Sequence, residues 1–133
     1  MKKELVNELS SIIKGGRVAA EELMSAHTTF QTGGAVEVFV EPADMDELKK
    51  TLELLKSKGE RFYLIGNGSN LLVSDKGLRG VAIHLARGFD NIRIEGNTLV
   101  CGASATLSQI ARTALAHSLT GFEFAAGIPG SLG

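Results

Sequence analysis

Phe62-Tyr63-Leu64-Ile65-Gly66-Asn67-Gly68-Ser69-Asn70-Leu71-Leu72-Val73 is the stretch on which the fold turns. Four apolar, strand-favouring residues run directly into a loop of two glycines, a serine and two asparagines, so a strand is predicted to end at Ile65 and to carry the loop at its carboxyl end. Consecutive unhindered backbone N–H groups, with the Ser69 hydroxyl and the Asn67 and Asn70 amides beside them, suit a phosphate or diphosphate. A tight turn between core strands suits the same glycines. Two common phosphate loops do not fit. The dinucleotide fingerprint requires a third glycine at Leu71 and a helix opening in the loop, whereas Leu71-Leu72-Val73 and then a turn follow. A nucleoside-triphosphate loop requires Gly-Lys-Ser/Thr, and no lysine lies between Arg61 and Asp75.

Upstream of this stretch, residues 36–40 are β-branched and aromatic around Glu37 and close at Pro42. Asp44, three residues ahead of Glu47, caps a helix whose inner face is expected to carry Met45, Leu48, Leu52 and Leu55, with Gly59 as a left-handed stop. Strand, helix, strand with short loops predicts a right-handed parallel β-α-β unit. Still further upstream, Leu5, Val6, Leu9, Ile12 and Ile13 recur at helical spacing, which predicts an amphipathic helix over residues 3–14 that stops at Gly15-Gly16. Residues 19–25 read as a second short helix, and His27-Thr28-Thr29-Phe30-Gln31-Thr32-Gly33-Gly34 as irregular chain. Downstream, residues 81–85 form a third strand. Beyond Arg87-Gly88 the texture changes to an antiparallel hairpin of residues 92–94 and 98–101 about Glu95-Gly96-Asn97. A helix over residues 107–117 follows, with Leu107, Ile110, Ala111, Ala114 and Leu115 inward and Gly121 as its cap.

Composition narrows the function. The 133 residues are 44% hydrophobic and 22% charged, as in a globular domain able to bury a core, and no repeat or linker interrupts them. The 16 glycines exceed the usual share of about 7% and are clustered, which points to backbone approaching a ligand. With a net charge of -1 and no basic block longer than Lys2-Lys3 or Lys49-Lys50, nucleic acid and anionic membranes are not expected partners. A single cysteine, and no apolar run approaching the ~18 residues of a spanning helix, give the expectation of a cytoplasmic protein.

The second glycine cluster is Ala126-Gly127-Ile128-Pro129-Gly130-Ser131-Leu132-Gly133. A serine-hydrolase elbow needs glycine where Pro129 stands, so Ser131 is a poor nucleophile and a backbone wall against a flat or anionic ligand is the better reading. His27, His84 and His117 share no metal-ligand spacing, and His84 in its strand and His117 at a helix end take core or cap roles; no metal is implied. Cys101, in an apolar strand, reads as an inert core thiol. Asp75 and Glu123 are isolated carboxylates without acid-base pairing.

Taken in order, Thr29-Phe30-Gln31-Thr32-Gly33-Gly34, Leu64-Ile65-Gly66-Asn67-Gly68-Ser69-Asn70-Leu71-Leu72, Gly102-Ala103 and the second glycine cluster resemble the UDP-N-acetylenolpyruvoylglucosamine reductases (MurB), over residues 27–133. The resemblance implies an α+β FAD-binding domain of the vanillyl-alcohol-oxidase type. An amino-terminal helical segment over residues 1–26 precedes a partial FAD-binding domain over 27–133. The latter divides into a parallel β-α-β subdomain at about 27–86 and the start of a mixed antiparallel subdomain at about 87–133. It implies that Gly66, Asn67, Gly68, Ser69, Asn70 and Leu71 contact the FAD diphosphate, and that Gly102, Ala103, Gly127, Ile128, Gly130 and Ser131 line the flavin side. The residues of the Thr29 stretch have a packing role as an alternative to ligand contact. NADPH as hydride donor, a UDP-sugar substrate and a product of peptidoglycan synthesis, UDP-N-acetylmuramate, are implied for the family. Its proton donor, arginine and glutamate lie beyond residue 133, so no catalytic residue is assigned. An ending inside a ligand loop gives the expectation of a fragment with weak FAD affinity and self-association through exposed apolar surface. Another oxidase or dehydrogenase of the same flavin fold, or a non-catalytic nucleotide-binding module, are the competing readings.

Overall fold

The apolar run at residues 38–40 and the one at 81–83 become neighbours in the middle of a four-stranded sheet. The computed structural model describes residues 2–133. In chain order it contains helix α1 (Lys3–Ile12), strand β1 (Arg17–Leu23), a 3-10 turn (Met24–His27), strand β2 (Ala35–Glu41) and helix α2 (Met45–Lys58). Strands β3 (Phe62–Ile65), β4 (Leu78–His84), β5 (Ile92–Glu95) and β6 (Thr98–Cys101), helix α3 (Leu107–Ala116) and a 3-10 turn (Glu123–Ala125) complete it. The sheet order is β1-β2-β4-β3, with β2, β4 and β3 parallel and β1 antiparallel to β2. Strands β5 and β6 form a separate antiparallel hairpin.

Four expectations are corrected. Residues 19–25, read as a short helix, belong to β1 and the 3-10 turn. Ala19, Ala20, Glu21 and Glu22 favour helix intrinsically, but pairing with β2 from Arg17↔Glu41 to Leu23↔Ala35 overrides that weak preference. Second, the strands flanking α2 are parallel as expected but not adjacent, because β4 wedges between them with Val81, Ala82 and Ile83 paired to both sides. Third, Met45 and Leu115 are not inward: they are 59% and 77% exposed. In α2 the buried face is Glu47, Leu48, Thr51 and Leu55, and in α3 it is Ile110 and Ala114. Fourth, Gly121 does not cap α3. The helix ends at His117, Ser118 turns left-handed at φ 56, and the Leu119 N–H donates to the Ala114 carbonyl to close the end.

Residues 38–40 and 81–83 are apolar without alternation because the sheet centre is covered on both faces. On one face α1 and α2 set Leu5, Leu9, Ile13, Leu48 and Leu55 against Val38, Val40, Val81 and Ile83. On the other, Met24 and Val73 cover Val36, Phe39 and Ala82. Helix α2 begins and ends as its sequence specifies: the Asp44 side chain accepts from the Glu47 N–H, and Gly59 closes it at φ 65. The Thr51 hydroxyl, fully buried against this core, has no hydrogen-bond partner among the described residues. Replacing it with the isosteric valine removes that unmet polar group, so Thr51→Val is expected to stabilise the protein by about 1 kcal/mol in urea unfolding.

Candidate cofactor cleft

All three parallel strands point their carboxyl ends the same way, and the 66–70 loop leaves the sheet at that edge, where ligands of open α/β sheets collect. Its shape is held from behind by the Thr29 stretch. The Thr29 N–H donates to the Gly68 carbonyl at 3.1 Å. Gly68 sits at φ 66 with its α-carbon so close to that stretch that an added Cβ would lie 2.0 Å from the His27 carbonyl oxygen. Thr28 is buried, and its hydroxyl donates to the Thr32 carbonyl at 3.0 Å, which stiffens the support.

The opposite wall is the second glycine cluster. Residues 130–133 are pinned to the chain after β6: the Leu107 N–H donates to the Gly130 carbonyl, the Leu132 N–H to Ala105, and the Gly133 N–H to Ala103, at 2.8–3.1 Å. The walls touch, since a Cβ on Gly66 would stand 2.7 Å from the Ser131 Oγ. Between them lies a cleft of about 300 Å³ lined by residues 64–71 and by Pro129, Gly130, Ser131 and Gly133.

Two properties define what the cleft can hold. None of the N–H groups of Gly66, Asn67, Gly68, Ser69 and Asn70 donates to a protein acceptor among the described residues, and the side chains of Asn67, Ser69 and Asn70 are equally without partners. No lysine, arginine, aspartate or glutamate lines it. A row of N–H donors without protein acceptors along an uncharged cleft can serve as an anion receptor made of backbone dipoles. The residues present therefore fit a diphosphate.

Of the residues singled out from sequence, those of the 66–71 loop, Gly130 and Ser131 come together here. Gly102 and Ala103 stand behind the wall: the Gly102 N–H donates to the Asn91 carbonyl at 2.7 Å, and Ala103 receives the Gly133 N–H. Gly127 and Ile128 fall outside the lining, and Ile128 is 47% exposed. Sequence reasoning missed the Thr29–Gly68 clasp, because a backbone-to-backbone bond across about 40 residues leaves no side-chain signature. Cys101 lies in a second, apolar cavity of about 330 Å³ with Ile110, Ala114, Leu119 and Phe122, and burial pushes its thiol pKa up. Among the described residues no group of three His, Cys, Asp or Glu side chains is placed to hold a metal ion, and no helix is long and apolar enough to cross a membrane.

Fold and cleft define a flavin-nucleotide domain, and residues 36–133 match the family described as "FAD binding domain". The chain belongs to that family. Its relatives narrow the comparison to one enzyme. It is 45% identical to the UDP-N-acetylenolpyruvoylglucosamine reductase of Caldanaerobacter subterraneus subsp. tengcongensis over 133 residues, 100% of this chain and 44% of that protein. With the reductase of Desulforamulus reducens it shares 45% over 129 residues, 97% of this chain and 42% of the relative. Among solved structures, the UDP-N-acetylenolpyruvylglucosamine reductase (MurB) from Thermus caldophilus superposes with a TM-score of 0.70 at 30% identity, over 89% of this chain and 40% of that one. The chain spans less than half the length of these relatives.

Proposed function

We propose that this chain is the diphosphate-gripping part of the FAD domain of a UDP-N-acetylenolpyruvoylglucosamine reductase, with the N–H groups of residues 66–70 on the FAD diphosphate and Gly130 and Ser131 closing the cleft over it. The observation that carries the reading is the row of N–H donors without protein acceptors in a loop that lines an uncharged cleft with a second glycine loop as its far wall. Leu71 extends the loop floor, Gly102 and Ala103 brace the wall, and Gly127 and Ile128 take the flavin side beyond the part of the cleft described above. In the whole protein, bound FAD supplies hydride transfer from NADPH to the enolpyruvyl group of a UDP-sugar, in cytoplasmic synthesis of peptidoglycan precursors that supports cell shape and division. This chain contributes binding and orientation: its donors fix the dinucleotide.

The division near residue 86 belongs to the same reading, with the parallel sheet as one FAD-binding subdomain and the hairpin and α3 as the start of the other. Leu115, Phe124, Ile128 and Leu132 are each between 47% and 77% exposed on that second part, which supports self-association of the chain. In a titration of FAD with this chain, saturable quenching of flavin fluorescence is expected, and ADP should reverse it because ADP carries the diphosphate without the flavin. Absence of saturable quenching, or quenching that ADP does not compete, would overturn the proposal.

A further inference from the structure

The stretch that supports the 66–70 loop from behind is itself anchored, by side chains that the diphosphate reading does not use. His27 is part-buried, and its ring stacks on the fully buried Phe39 with 4.2 Å between centres and 22° between planes. Its Nε2 lies 2.9 Å from Glu22 Oε1. Arg17 donates to the same Glu22 oxygen at 3.0 Å and to Glu41 Oε2 at 3.5 Å, and its guanidinium lies 5.0 Å from the centre of the Phe39 ring. Glu41 is bonded in turn to His84 Nδ1 at 2.8 Å, and the two imidazoles are 6.1 Å apart.

These contacts hold one ring in one orientation. Hydrogen bonds from Arg17 and then from His27 keep the Glu22 carboxyl below the usual carboxylate range, so Glu22 is an ionised acceptor and the Nε2 edge of His27 donates to it. Stacking on Phe39 fixes the plane of the imidazole, and the bond to Glu22 fixes its rotation within that plane. The backbone of the same residue is what the loop leans on. A Cβ on Gly68 would stand 2.0 Å from the His27 carbonyl oxygen and 3.0 Å from the Thr28 α-carbon, and the Thr29 N–H donates to the Gly68 carbonyl at 3.1 Å.

We infer that Glu22 and His27 are positioning residues for the diphosphate loop: the bond between them sets where residues 27–29 stand and, through the Thr29–Gly68 clasp, the left-handed conformation of Gly68. This role rests on the reading of residues 66–70 as the diphosphate site, and it requires neither side chain to touch the ligand. A histidine present only for packing could be replaced by phenylalanine, which offers Phe39 the same stacking face. What phenylalanine lacks is the donor, and without it a part-buried carboxylate keeps Arg17 alone while residue 27 loses its tie to β1.

The test combines calorimetric titration with inorganic pyrophosphate and amide hydrogen exchange, on the unsubstituted chain and on variants. His27→Phe keeps a ring against Phe39 and removes the donor, whereas His27→Gln gives up the ring and restores an N–H near the place of Nε2. For His27→Phe the expected result is a pyrophosphate Kd raised about 3- to 10-fold. Exchange of the Thr29 amide should quicken by about 10-fold, with less acceleration at Val81, which is buried in the sheet centre and opens only with it. His27→Gln should recover most of the affinity and of the Thr29 protection. The opposite ranking, with phenylalanine the better replacement, would mean that the histidine only packs and would overturn the positioning role. Glu22→Gln weakens the same bond from the strand side with the His27 ring in place, and should move the Kd and Thr29 exchange in the same direction; no change in either also overturns the role. If every variant binds pyrophosphate as tightly as the unsubstituted chain, the positioning role fails alone. If the unsubstituted chain binds no pyrophosphate, the diphosphate reading fails and the positioning role with it.

Discussion

Replacing Gly68 with alanine is expected to weaken FAD binding by about 100-fold. Gly68 is at φ 66, and the added methyl would meet the His27 carbonyl oxygen at 2.0 Å and the Thr28 α-carbon at 3.0 Å. Both obstacles are backbone, so no rotamer change relieves them. Either the loop abandons its left-handed residue and changes the course of its backbone, or the Thr29 stretch retreats and loses the 3.1 Å bond to the Gly68 carbonyl. Gly66→Ala is the informative control. Its methyl would meet only the Ser131 Oγ, at 2.7 Å, and a hydroxyl can rotate away, so a smaller loss is expected. Fluorescence titration compares the two, and a Gly68→Ala chain that binds FAD as tightly as the original would show that the loop conformation is not what holds the diphosphate.

The second large effect is on stability. Glu47→Gln is expected to lower the unfolding free energy by about 2–4 kcal/mol at pH 7. The Glu47 carboxylate is 7% exposed and ends in three backbone bonds: Oε1 accepts from the Lys14 and Gly15 N–H groups at 2.8 Å, and Oε2 from Ala43 at 2.7 Å. It joins the chain leaving α1 to the start of α2. Burial by itself raises the carboxyl pKa, but the N–H groups of Ala43, Gly15 and Lys14 outweigh it and hold it below the usual range. A depressed pKa in the folded state contributes stability that is fully present above the unfolded value of about 4.3 and disappears as pH falls through the folded value. Urea unfolding at pH 7 and at pH 3 should therefore show a gap between the original and Glu47→Gln that narrows on acidification. A gap of the same size at both would mean that shape, not ionisation, makes the difference.

What could be read from the chain depended on how far apart the deciding residues stand. The capped helix α2, the strand ending at Ile65 and the hairpin about Gly96 were legible because cap, periodicity and turn lie within one element. Strand β1 was not, since its alanines and glutamates favour helix until β2 offers a partner about 20 residues later. The wedging of β4 between β2 and β3 was equally hidden, because all three strands are short apolar runs whose spatial order carries no local mark. Met45 and Leu115 follow helical spacing and still face outward, since periodicity names a stripe but not where the neighbouring layer ends. The 66–71 loop, Gly130 and Ser131 were singled out by their glycine-rich composition and line one cleft, while the closeness of His27 and His84, 57 positions apart, comes only from the pairing of β2 with β4 and from the turn after β1.

The cleft proposed for the diphosphate has no charged side chain along it. Ionic strength weakens attraction between separated net charges over a Debye length of about 8 Å under physiological conditions, but it has little purchase on amide dipoles in direct contact with an anion. Binding of this kind keeps its affinity as salt is raised, and because every diphosphate presents the same oxygens to those amides, discrimination among nucleotides falls to whatever flanks the loop on either side.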